Sequence, residues 1–169
     1  MKGRMKPNGF GIAAILAVLL LTGSMFASCV MAQPAQEVSD QQLEKQLQEI
    51  TKEVQDAVKE TESPNGDEAT IESAVGEAFE AVCDGLNAAL GILKWYVSDD
   101  RIDEAQEILT DAAEDFRNDD ITSGIEKLGN ALSIIWDILH DYVSQIPGWL
   151  YDRLVDLLNL AQYLINLYR

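Results

Sequence analysis

The chain has 169 residues, with 12 Lys and Arg against 29 Asp and Glu, and a formal net charge of −17 at pH 7. That acidity repels phosphate backbones and anionic headgroups, which argues against nucleic acid and anionic lipid as partners. The length suits one ordinary domain with its own core, and the two cysteines give no disulfide framework.

Lys2, Arg4 and Lys6 open the chain, and an uncharged stretch follows from Phe10 to Leu21. Thr22, Gly23 and Ser24 end the strongly apolar run. A basic start, a short apolar core and a small-residue region make the three-part pattern of a secretory signal. Residues 1–32 are therefore read as a leader and the protein as exported, to the medium, the periplasm or the cell surface. Val30 and Ala32 occupy the positions a leader peptidase checks, so the expected cut follows Ala32. The alternative comes from Phe26-Ala27-Ser28-Cys29, which resembles a bacterial lipobox. Ala27 and Ser28 match that pattern, and Phe26 stands where an aliphatic residue is expected. The resemblance implies a lipid on Cys29, and membrane contact only through that lipid or through an uncleaved leader. A cut after Ala32 leaves 169 − 32 = 137 residues and removes three basic residues, so the mature charge is 9 − 29 = −20.

The mature part divides into a polar N-terminal helix within 33–62, a linker at 63–68 and a bundle core at 69–169. In the first segment Ser39 is placed to cap a helix, with Gln42 reaching back to it. Leu43, Leu47, Ile50, Val54 and Ala57 follow in steps of four and three, a heptad seam of the coiled-coil kind. The seam is narrow and the other faces are polar. This helix is expected to pack as a loose outer member of the bundle or to pair with another chain.

Ser63-Pro64-Asn65-Gly66 breaks the chain. A long second helix is expected from about Asp67 to Val97. Its large apolar residues run from Ile71 through Phe79, Leu86 and Leu93 to Val97, beside a stripe of small ones: Ala74, Ala78, Ala81, Gly85 and Ala88. Two adjacent apolar faces mark it as the central helix. Ser98-Asp99-Asp100 caps a third helix to Arg117, and Asn118-Asp119-Asp120 stops and restarts the chain. The fourth helix carries its apolar stripe from Ile121 to Ile146. Pro147-Gly148 ends it, and a fifth helix with a wide apolar face runs from Trp149 to about Tyr168. The third and fourth helices echo each other at a 19-residue offset, Ile102, Ala105, Glu107, Leu109 and Ala112 matching Ile121, Gly124, Glu126, Leu128 and Ala131. The fold class expected is all-α: a bundle of four to five amphipathic helices after a cleaved signal.

The chemistry of catalysis is sparse. His140 is the single histidine, and Cys83 is the single mature cysteine, placed beside an apolar stripe with no basic neighbour to stabilise a thiolate. No pair of Cys or His is available for a zinc site, and no Ser elbow, phosphate loop or dinucleotide fingerprint occurs. The nearest approach to a calcium loop, Asn118 to Gly124, puts Gly one place late. No catalytic, cofactor-binding or metal-ligating residue is assigned, and no cofactor is expected. The expected function is a non-enzymatic binding or structural module, acting on a protein partner or through self-association. A hydrolase built on fold-assembled carboxylates is the alternative. The candidate interaction surface is aromatic: Trp95, Trp136, Trp149 and Tyr151. Asn159, Gln162 and Asn166 interrupt the last apolar stretch, so no mature segment is expected to span a membrane.

Overall fold

The computed structural model describes residues 39–62 and 67–169, and for residues 68–71 it describes the backbone alone. The leader, both cutting sites, Cys29 and the break at Ser63 to Gly66 lie outside the described residues. The described residues form five helices and no strand: α1 Asp40–Thr61, α2 Glu68–Leu93, α3 Asp100–Arg117, α4 Ile121–Asp141 and α5 Gly148–Tyr168. The all-helical expectation holds. The apolar residues recur at the helical period, and each stripe finds a neighbour to bury it.

Helices α2, α3, α4 and α5 run alternately up and down, each packed on the next, and α5 closes back onto α2. Cross-links set the antiparallel directions. Lys94 near the end of α2 meets Asp103 near the start of α3, and Arg117 at the end of α3 meets Glu80 in the first half of α2 at 2.5 Å. Arg101 in the first turn of α3 meets Asp141, the last residue of α4, at 2.8 Å. The 19-residue echo thus belongs to a helical hairpin: Ala105 and Gly124, Leu109 and Leu128, and Ala112 and Ala131 are all buried.

Helix α1 lies against α2 and α5. Of its seam Leu43, Leu47, Ile50 and Val54 are buried and Ala57 is half-buried, with Val58 beside it buried as well. The narrow seam is sufficient because the partner surface is nearly flat. A Cβ added to Gly85 of α2 would stand 3.0 Å from Val54 Cγ2 and 3.3 Å from Leu157 Cδ2, so glycine there lets α1 and α5 come close. Helix α2, in contact with α1, α3 and α5, is central as its two apolar faces require.

The cap expected at Ser39 takes another form. Ser39 is the N-cap, but its side chain makes no cap bond. Its carbonyl accepts from the N–H of Gln42 at 2.8 Å instead. Asp99 and Asp120 do cap with their side chains, accepting from the N–H of Arg101 and of Ser123. Between them Asp119 takes φ 60°, the left-handed conformation that a short polar side chain tolerates, and this turns α3 into α4. Helices α2 and α4 end earlier than their apolar periods do. Val97 and Ile146 lie past the last helical turn and are still buried, because the following turns fold back onto the core.

At the lower end of the bundle, where α1 and α3 finish, Phe79 stacks on Phe116 at 4.6 Å and meets Tyr168 edge-on at 6.0 Å. These rings tie α2, α3 and α5 together, each pair contributing about 0.5–1.5 kcal/mol beyond its burial. None of the described helices is long and apolar enough to cross a membrane.

Candidate functional site

The upper end, where α1 begins and α2 and α4 finish, brings together Tyr96, Trp149, Asp40, Asp99, Arg101 and Asp141. Two chain corners meet there: 94–99, between α2 and α3, and 142–147, between α4 and α5. Arg101 joins them, donating to Asp99 at 2.7 Å and to Asp141 at 2.8 Å. The Tyr142 hydroxyl also donates to Asp99. Hydrogen bonds from the Arg101 side chain and backbone hold the Asp99 carboxyl well below the usual carboxylate range. Tyr96 reaches the other way and donates to Asp40 at the start of α1 across 2.6 Å. Burial and that carboxylate push the Tyr96 hydroxyl up to about 12. Tyr96 also meets Trp149 edge-on at 6.5 Å.

The four aromatic candidates therefore part company. Trp149 and Tyr151 are half-buried and pack against the core, so much of their surface serves the fold. Trp95 at 57% and Trp136 at 41% exposure present their rings to solvent, and Val143, Tyr163 and Leu167 are exposed as well. Trp95 and Val143 sit on the two corners, and Trp136 lies on α4, two turns below Val143. Val143 carried no signal in the sequence, because its exposure depends on α4 ending at Asp141. The Asp99–Arg101–Asp141 link was equally hidden, since its members are 40 residues apart.

A second group lies on the α2–α3 contact. Asp84 sits one turn from Glu80, and Arg117 at the end of α3 is shared with Glu80. Burial, with Glu80 beside it, pushes the Asp84 carboxyl up to about 6 against the opposing pull of Arg117. Farther along, the Asn87 amide donates to Thr110 and the Asn87 carbonyl accepts from Gln106, while Asn87 Oδ1 has no hydrogen-bond partner. Burial also raises the Glu53 carboxyl on α1, and at about 6 the Asp84 carboxyl approaches the range of a general acid at neutral pH. Its neighbour Glu80, held by Arg117, is kept from acting as a free base.

Cys83 is fully buried, and desolvation raises its thiol far above the ordinary value, so it is an inert core residue. His140 is exposed on the outer side of α4. Among the described residues no three His, Cys, Asp or Glu side chains are grouped to hold a metal ion. No family model, curated protein or solved structure matches the chain.

Proposed function

We propose that the protein is an exported, non-enzymatic binding module, an acidic five-helix scaffold that presents aromatic residues to a macromolecular partner. Export follows from the basic, apolar and small-residue segments of the first 32 residues. The observation that carries the binding reading is the exposure of Trp95 and Trp136, which with Val143, Tyr163 and Leu167 are the large apolar side chains the described bundle leaves exposed. Solvent-facing tryptophan concentrates where a second surface covers it. The net charge of −17 keeps such a surface soluble until a partner arrives.

Site-specific photo-crosslinking in the exporting cell tests this. With a photoreactive amino acid in place of Trp95 or Trp136, a discrete adduct is expected. The same amino acid at Asn159, an exposed polar position on α5, is expected to give none. Equal or absent labelling at all three positions contradicts the reading.

The hydrolase reading has one observation in its favour, the raised carboxyl of Asp84. It requires a second, free carboxylate across a cleft. The nearest, Glu80, is engaged by Arg117. Turnover of a glycoside or ester substrate that disappears in Asp84→Asn would favour it.

A further inference from the structure

The outer face of α4 carries an uncharged stripe in which Trp136 and Val143 are the large apolar residues. Gly129, Ser133, Trp136, His140 and Val143 follow in steps of four and three, and all five are exposed. The spacing places them on one stripe, a heptad seam carried by Val143 into the turn after the helix. No Asp, Glu, Lys or Arg interrupts it. Ser123, Lys127 and Asp141 point around the helix toward α3, where they meet Asp115 and Arg101, so the stripe faces away from the bundle. A Cβ added at Gly129 would meet nothing within 4 Å, which leaves the small-residue half of the stripe open to close approach.

Charge selects the occupant. Glu126 and Asp137 are exposed beside the stripe. Lys127, the one lysine of α4, is engaged by Asp115 at 2.7 Å. A second copy of this chain would bring its own large negative charge against that rim, and anionic lipid would be repelled in the same way. A positively charged helix meets complementary charge on the flank and apolar surface in the seam. We propose that this stripe docks the apolar face of a cationic amphipathic helix belonging to a partner protein. The proposal rests on the binding reading above and adds the site and the partner's chemistry.

The test is a calorimetric titration of the mature chain with a synthetic amphipathic helix of Leu and Lys, and with its Leu and Glu counterpart. The Lys peptide is expected to bind, more weakly as potassium chloride rises. The Glu peptide is expected not to bind. Trp136→Ser combined with Val143→Ser should weaken the Lys peptide about tenfold or more, as loss of a central aromatic anchor does. Asn159→Ser, an exposed polar change on α5, should leave its affinity unchanged. Both are surface changes, and circular dichroism checks that each variant stays folded. Equal binding of the two peptides, or undiminished binding by the Trp136/Val143 variant, overturns the α4 site. Binding of the Lys peptide that is lost in Trp95→Ser and kept in the Trp136/Val143 variant also overturns it, and leaves the broader binding reading in place. A fluorescence shift with phosphatidylcholine vesicles and no binding of the Lys peptide would make the stripe a lipid contact and overturn the proposal.

Discussion

The Tyr96 hydroxyl donates to the Asp40 carboxylate across 2.6 Å, joining residues 56 positions apart in the chain. The bond pins the start of α1 to the corner that follows α2. Below it Leu47, Ile50, Val54 and Val58 fill the space above Gly85 and beside α5.

A truncation beginning at Asp67 is therefore predicted to aggregate or unfold. It would uncover the small-residue face of α2 and the α1 side of α5, and each lost Leu, Ile or Val contributes about 1.5–3 kcal/mol of burial. Tyr96→Phe removes a single bond at a partly exposed site and is expected to cost about 0.5–1.5 kcal/mol. Chemical denaturation of both proteins measures this. A soluble, cooperatively folding fragment from Asp67 onward would show that α1 is dispensable.

Two glycines of α4 are predicted to respond with opposite signs. A Cβ at Gly124 would stand 2.5 Å from Phe116 Cε1, and Phe116 is fixed by its stack on Phe79. Gly124→Ala should destabilise by about 1–3 kcal/mol, the usual cost of overpacking. Gly129→Ala meets open space and should stabilise by about 0.5–1 kcal/mol through helix propensity. Melting midpoints of the two variants moving in the same direction would contradict this packing.

Asp84 gives a pH-dependent prediction. Its carboxyl is raised from 3.8 to about 6 in the fold, so the native state holds its proton more tightly than the unfolded chain does. The contribution is fully present below about pH 4 and is lost as pH rises through about 6. Asp84→Asn should therefore stabilise the protein at pH 8 by about 1–2 kcal/mol, a figure reduced for partial solvent exposure, and should do little at pH 4. Urea unfolding at the two pH values measures the difference. An equal effect at both would place the ordinary titration of an exposed carboxylate at Asp84.

Cys83 is predicted to resist maleimide in the native protein and to react once urea unfolds it. Its sulfur is fully buried and its thiol is held protonated by desolvation. Rapid modification at pH 7 under native conditions would mean that the α2 core opens readily.

Much of the architecture was legible from periodicity. The apolar stripes gave five helices, and the two faces of α2 marked it as central, because burial at the helical period leaves few other arrangements. Helix ends were less legible. Val97 and Ile146 continue their stripes past Leu93 and Asp141, since a turn that folds back buries an apolar residue as well as a helix does. How closely α1 packs was not legible from its narrow seam, because it depends on the flat face around Gly85 that receives it. The aromatic candidates could be named from sequence but not sorted. Whether a ring faces core or solvent depends on how the corners at 94–99 and 142–147 fold, and on the Arg101 link that joins residues distant in the chain.

The central claim is that Trp95 and Trp136 serve a partner and not the fold. The most direct measurement is the unfolding free energy of the Trp95→Ser, Trp136→Ser double variant, taken with its yield of partner adduct from a photoreactive residue at Val143. The account predicts stability within about 0.5 kcal/mol of the wild type, as for ordinary surface substitutions, and loss of the adduct. A destabilisation of about 2 kcal/mol or more, or an undiminished adduct, would contradict it.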